Sequence, residues 1–173
     1  IYFWNDKHKK KYYDTYFNKY KEVWNHGDYI SIFSSGSLKI YGRSDATLNP
    51  GGVRIGTSEI YRIVSEIDFI KDSIIIGQNW KGDQRIILFI ELNDKKELNT
   101  SMKEEIRIRI KQNSSPKHVP SKIIAVKGIP YTISGKKVEL AVKKIVEGKK
   151  VDNKDSLQNP LTLEYFKNIQ ELS

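Results

Sequence analysis

Two apolar runs of strand length, Ser-Ile-Ile-Ile-Gly at 73–77 and Arg-Ile-Ile-Leu-Phe-Ile-Glu-Leu at 85–92, constrain the fold of this chain more than any other feature. Neither approaches the roughly 18 residues of a membrane-spanning helix, and both are flanked by charge, so they are expected in the core of a soluble protein. Gly82-Asp83 marks a turn between them, so strands read over 72–78 and 84–92 pair in antiparallel fashion.

Around this pair the apolar period changes. Ile60, Ile63, Val64 and Ile67 recur at i, i+3, i+4 and i+7, predicting an amphipathic helix from Thr57. Earlier, Ile30 and Ile32, then Leu38 and Ile40, alternate on either side of Ser34-Ser35-Gly36, which is a hairpin pattern. Residues 99–111 carry two signals. Ser101 with Glu104 resembles a capping box and Met102, Ile106 and Ile110 share a helical face, whereas 106–110 alternates like a strand; the length favours a helix.

Pro116 and Pro120 then bracket a loop, 122–126 reads as a short strand, and Gly135 is expected to open a helix with Val138, Ala141, Val142 and Ile145 on its apolar face and Gly148 as its stop. Asn159-Pro160 offers an N-cap and a proline at the first helical position, predicting a closing helix over 161–172 packed through Leu163, Phe166 and Ile169. With no repeated βαβ unit, the order implies an α+β fold, an antiparallel hairpin plus a small mixed sheet flanked by helices.

A chain of 173 residues suits one compact domain with an appendage, and burying roughly 70% of its extended surface needs no disulfide or metal. The absence of cysteine excludes a disulfide framework, Cys-ligated zinc and a Cys nucleophile, and it fits a reducing compartment, so the cytoplasm is the expected location. The opening Ile1-Tyr2-Phe3-Trp4 has neither an initiator Met nor a signal-peptide layout, from which part of a longer polypeptide is expected. Thirty Lys+Arg against 21 Asp+Glu give a net charge of +9. The lysine clusters at 7–21, 103–122 and 136–150 are interspersed with acids, so they read as solvated faces rather than a nucleic-acid surface.

Standard catalytic patterns mostly fail. His8, His26 and His118 lack metal-ligand spacing, and no Gly-x-Ser-x-Gly elbow exists. Ser134-Gly135-Lys136-Lys137 resembles a phosphate loop, but Pro130 stands where its first glycine belongs and Lys137 replaces the Ser/Thr. Lys136 is informative all the same. In the first turn of the expected helix it opposes the macrodipole at a cost of ~0.3–1 kcal/mol, and a lysine beside free backbone N–H groups on a Gly-containing loop makes an anion site for phosphate or carboxylate. The plainer alternative is an exposed lysine that tolerates the dipole. Arg43 and Arg54, flanking Gly51-Gly52, can grip a phosphate or merely decorate a bulged hairpin. Asp28, after Gly27, can accept from a diol or simply belong to a turn.

Taken together, His26-Gly27-Asp28, the stretch 42–60 (Gly-Arg-Ser-Asp-Ala-Thr-Leu-Asn-Pro-Gly-Gly-Val-Arg-Ile-Gly-Thr-Ser-Glu-Ile) and Ile129-Pro-Tyr-Thr-Ile-Ser-Gly-Lys136 resemble, in order and spacing, the closing motifs of the adenylate-forming acyl-CoA synthetase superfamily. Tyr2-Phe3-Trp4, Trp24-Asn25-His26-Gly27-Asp28-Tyr29, the 122–126 strand, Val138-Glu139-Leu140-Ala141-Val142 and Asn159-Pro160 narrow the resemblance to one branch acting on a short carboxylic acid.

The resemblance implies the small mobile C-terminal domain of a two-step ligase using ATP, Mg²⁺ and CoA, with residues 1–43 the tail of an N-terminal AMP-binding domain, 44–148 the mobile domain and 149–173 a helical extension. By motif position it implies Lys136 as the adenylation lysine; Asp28, Arg43 and Arg54 at the nucleotide; and Asp45 as the hinge. Asn49, Pro50, Gly51 and Gly52 would line the CoA channel, with Lys111 near a CoA phosphate. Asn49, Tyr131 and Ile133 replace residues that are basic in many members. The chain alone is expected inactive and without a tightly bound cofactor. Its partners would be the N-terminal domain of the same parent, a small carboxylate and CoA, with no membrane. The competing readings are a separately acting module that docks an adenylating partner or nucleic acid, and a synthetase for another short acid such as acetate.

Overall fold

The computed structural model describes residues 3–93, 97–151 and 153–172, so Ile1 and Tyr2 of the opening aromatic stretch lie outside the described residues. Helix α1 (Lys10–Tyr16) leads into an aromatic cluster in which Tyr16 stacks on Trp24 with centroids 4.2 Å apart. Strands β1 (Asp28–Ile32) and β2 (Leu38–Arg43) then form the expected hairpin. Its cross-strand pairs Ile30–Ile40 and Ile32–Leu38 leave all four side chains exposed.

The second sheet follows the apolar runs. Strand β3 (Ile70–Trp80) pairs antiparallel with β4 (Asp83–Leu92) through a two-residue turn at Lys81 and Gly82, both at positive φ. Strand β5 (Lys122–Ala125) adds parallel to β4, giving the order β3-β4-β5 with β3 at an edge. A parallel neighbour needs a long crossover, supplied by α3 (Thr100–Asn113). Asn99, rather than Ser101, caps α3 by accepting the Met102 N–H at 2.9 Å; Ile106 and Ile110 are buried while Ile108 is exposed, which settles the helix-or-strand ambiguity of this segment.

Both faces of the sheet are covered, which is why its strands read as nearly continuous apolar runs. On one face Ile75, Ile86, Leu88 and Ile90 pack under α2 (Thr57–Val64) and α3. On the other, Ile74, Ile76, Ile87 and Phe89 pack against α4 (Glu139–Val146) and the C-terminal segment. That segment is not the α-helix predicted over 161–172. It consists of 3₁₀ turns at Pro160–Phe166 and Gln170–Leu172 that drop Leu163, Phe166 and Leu172 into the core. Asn159, the expected N-cap, spends its side chain elsewhere, so α-helix formation loses its starting contact. Among the described residues no helix is long and apolar enough to cross a membrane.

Candidate functional site

Lys136 sits on a hairpin, not in a helix. Tyr131 and Lys137 face each other as an antiparallel pair, and Gly135 takes φ +76° at the turn, a conformation that strains any other side chain. The Thr132 N–H donates to Lys136 O and the Gly135 N–H to Thr132 O, each at 2.9 Å, while the Lys136 N–H donates to the Thr132 hydroxyl at 3.0 Å. Helix α4 begins only at Glu139. The expectation that Gly135 opens the helix and that Lys136 opposes its dipole is therefore corrected: local turn bonds within 132–136 hold the chain back from helix geometry. The Lys136 side chain is exposed and has no hydrogen-bond or ion-pair partner among the described residues.

Lys137 is placed in the opposite way. Its Nζ donates to Asp72 Oδ1 at 2.7 Å and to the Ser73 carbonyl, and lies 4.6 Å from the centre of the Tyr61 ring. Tyr131 OH donates to the other oxygen of Asp72 at 2.6 Å. Tyr61 OH donates to Glu139 Oε1 at 3.0 Å and accepts the Ile75 N–H at 3.1 Å. Because β3 is an edge strand, these side chains also satisfy backbone groups that its missing neighbour would have paired. Burial, reinforced by Glu139, pushes the Tyr61 phenol well above its ordinary range. Burial first and Asp72 second push Tyr131 up, so both remain proton donors at neutral pH.

The other edge of the hairpin is paired by the C-terminal segment. The Ile133 N–H donates to Ser156 O at 3.0 Å and the Gln158 N–H to Tyr131 O at 2.9 Å. Asn159 accepts the Tyr131 N–H and donates to Ile129 O, both at 2.8 Å.

The proposed nucleotide and hinge residues form a second group at the end of β2. Arg43 forks onto Asp45 with contacts of 3.2 and 3.1 Å and donates to His26 O at 2.9 Å. Its guanidinium fills the space over Gly27, where a Cβ would come within 2.9 Å of it. Asp28 pairs with His26 Nδ1 at 2.6 Å. Both contacts are solvent-accessible, and an exposed ion pair such as Arg43–Asp45 contributes about 0–1 kcal/mol, so it opens readily. Arg43 and Asp45 also line a cleft of about 360 Å³ with Lys137, Glu139, Leu140 and Asn153; Lys136 is not among its walls. Arg54 is exposed and its guanidinium lies 5.9 Å from the centre of the Tyr29 ring on β1.

The 49–52 turn lies at the far end of the sheet. Leu48 and Ile55 close its base with two backbone bonds of 2.9 Å. The Asn49 N–H donates to Gln84 Oε1 at 2.6 Å, and the Gly51 N–H to the Asp83 carboxylate at 3.0 and 3.1 Å. Lys111 is exposed in the last turn of α3 and makes no hydrogen bond or ion pair among the described residues. The ammonium that stands over the turn is that of Lys117, 3.1 Å from where a Cβ on Gly51 would be. Sequence reasoning missed Lys117, Asp72 and Gln84. A lone acid opening an apolar strand was a signal available for Asp72, and none marked the other two.

No family model matches the chain. Among solved structures, a benzoate CoA ligase from Burkholderia xenovorans LB400 superposes with a TM-score of 0.65 at 20% identity, covering 83% of this chain and 27% of that one, a likeness of fold alone. A synthetase from Streptomyces lividans superposes with a TM-score of 0.89 at 37% identity, covering 99% of this chain and 26% of that one. The chain belongs with the acyl-CoA synthetases and corresponds to their C-terminal portion.

Within that class its relatives are the acetoacetyl-CoA synthetases. The Streptomyces lividans protein is one. That of Rhizobium meliloti (strain 1021) is 49% identical over 172 residues, 99% of this chain and 26% of that protein. That of Gallus gallus is 46% identical over 172 residues, 98% of this chain and again 26% of that protein. The chain thus spans about a quarter of the length of the curated relatives it matches.

Proposed function

We propose that the enzyme to which this chain contributes its C-terminal portion is an acetoacetate–CoA ligase. In the first half-reaction a carboxylate oxygen of acetoacetate attacks the α-phosphorus of ATP and pyrophosphate leaves, giving acetoacetyl-AMP. In the second, the CoA thiol attacks the acyl carbonyl and AMP leaves. Lys136 serves the first step. Its ammonium bridges the attacking carboxylate and the α-phosphate, where negative charge accumulates, and a preorganised cation there stabilises the transition state more than the ground state. The observation that carries this reading is the presentation of Lys136: exposed at the tip of a hairpin whose base is fixed, and without a partner among the described residues.

Asp28 receives the ribose hydroxyls, Arg43 and Arg54 act near the phosphates, and the backbone at Asp45 is the hinge on which the domain turns between the two steps. The 49–52 turn lines the channel for the thiol arm of CoA, with Lys111 near a CoA phosphate. The exposed isoleucine and leucine face of the β1–β2 hairpin packs against the N-terminal AMP-binding domain, which holds the acid pocket and the rest of the nucleotide site. We place the enzyme in the cytoplasm. Magnesium enters with ATP, bound chiefly through the nucleotide's phosphates.

The test is Lys136→Ala in the full-length synthetase. Adenylate formation, followed by pyrophosphate exchange, should fall about 10²–10³-fold, and thioester formation from supplied acetoacetyl-AMP should stay near the unaltered rate. Equal loss of both half-reactions removes Lys136 from the role given to it.

A further inference from the structure

Two lysines stand side by side at the hairpin, and only one of them is presented. Successive residues of an extended strand point to opposite faces, so fixing the direction of one neighbour fixes the other. The hairpin has two stems, with Tyr131 in the first and Lys137 opposite it in the second. Both side chains end on the same carboxylate: Tyr131 OH on Asp72 Oδ2 at 2.6 Å and Lys137 Nζ on Asp72 Oδ1 at 2.7 Å. Asp72 reaches this position because β3 is irregular between Ile70 and Asp72. Ile70 packs in the core under α2 and α3 while Asp72 meets groups on the α4 side, the re-aiming that a bulge produces. Asp72 and Lys137 are each about three-quarters buried, so their charge-assisted contact is shielded from competing water.

We propose that Asp72 is a positioning residue: one carboxylate clasps both stems of the hairpin and thereby selects Lys136, not Lys137, as the amine presented for chemistry. Nothing in the local sequence Gly-Lys-Lys makes that selection, since the two side chains are chemically identical. The clasp draws Lys137 under the Tyr61 ring and leaves Lys136 on the outward face. The inference rests on the reading of Lys136 as the adenylation lysine, but its structural half can be tested without that reading.

The first measurement is competitive acetylation of the 173-residue chain with limiting acetic anhydride, the two lysines being resolved by tandem mass spectrometry. Lys136 should react roughly tenfold faster than Lys137, the protection given by one charge-assisted bond. Asp72→Ala should bring the two within about twofold of each other, and Tyr131→Phe, which leaves the Lys137 contact in place, should give an intermediate ratio. Circular dichroism reports whether each variant is folded; if Asp72→Ala is not, Asp72→Asn takes its place. Equal reactivity in the unaltered chain, or an unchanged ratio in a folded Asp72 variant, overturns the clasp.

The second measurement uses the full-length synthetase. Asp72→Ala should lower kcat for adenylation about 10- to 100-fold through misplacement of Lys136, with KM for ATP held within about twofold and thioester formation from supplied adenylate unaffected. Lys137→Arg, which keeps the charge and reach, should restore most of what Lys137→Met loses. A collapsed labelling ratio with unchanged adenylation kcat shows that the clasp positions nothing of consequence, and overturns the proposal. Intact adenylation in Lys136→Ala would instead sink the ligase role of that lysine, while the labelling ratio still decides the clasp.

Discussion

The hairpin formed by β3 and β4 carries a loop at each of its ends, and the two are held by different means. Near the start of β3, the 131–137 hairpin is fixed by a partly buried carboxylate, two phenols and a strand-like stretch of the C-terminal segment. At the β3–β4 turn, roughly 25 Å away along the strand, the 49–52 turn rests on two acceptors, Gln84 Oε1 and the Asp83 carboxylate. The first arrangement directs a single amine, for which a displacement of about 1 Å matters. The second holds open a stretch of backbone in which Gly51 and Gly52 both take positive φ. Under the function proposed above, a shared rigid sheet with different tethers at its two ends would let the domain offer one end and then the other to a common reaction centre.

The difference can be broken most forcefully from inside the core. Phe166 is fully buried and meets Phe89 edge-on with ring centroids 4.9 Å apart. Phe166→Ala should destabilise the chain by about 3–5 kcal/mol in urea unfolding. Because Phe166 anchors the segment that pairs with the 131–133 strand, amide exchange at Ile133 and Tyr131 should quicken while that at Asn49 and Gly51 stays slow. Equal loosening at both ends would show that the two loops are not independently held.

The reciprocal experiment acts at the turn end. Gly77 lies against Gln84 so closely that a Cβ would fall 2.2 Å from its Cδ. Gly77→Ala must push that flexible amide aside, which strips the Asn49 N–H of its acceptor. The expected stability cost is about 1–3 kcal/mol. In the full-length synthetase thioester formation should fall about tenfold while adenylation changes little, as only the 49–52 turn is displaced. A matching fall in adenylation would mean that the sheet transmits strain from one end to the other.

The sequence made the elements legible and the tethers illegible, for a physical reason. Periodicity reports which face of an element is apolar, so β3, β4, α2 and the β1–β2 hairpin could be read from their apolar residues and turn glycines. Lys136 could be singled out because the motif around it resembles that of a known family. Its surroundings could not. Glycine at 135 fits a helix start, yet what decides the local structure is the pairing of Tyr131 with Lys137 and, between segments about 25 residues apart, of residues 131–133 with 156–158. Asn159 looked like a helix cap because asparagine before proline usually is one, whereas its amide bonds the backbone of 129–131 instead. Likewise Asp72, a charge at the mouth of an apolar strand, has meaning only once Lys137 and Tyr131 have been folded onto it.

The smallest effect that still separates the two ends is a titration. Tyr61 and Tyr131 hold their protons above the ordinary phenol range in the folded chain, whereas unfolding restores a pKa of about 10. At alkaline pH the unfolded state therefore binds fewer protons than the folded one. The sign follows: the stability these two groups contribute is fully present below about pH 10 and is lost as pH rises above it toward their folded values. Tyr131→Phe removes one of the two, so urea unfolding of that variant should depend less steeply on pH above 10 than that of the unaltered chain. The 49–52 turn is tethered through an amide oxygen and a carboxylate rather than through a phenol, so its opening should show no matching dependence. An unchanged slope in Tyr131→Phe would mean that the phenol is not held against Asp72 in solution, and the distinction between a charge-clasped end and an amide-tethered end would go with it.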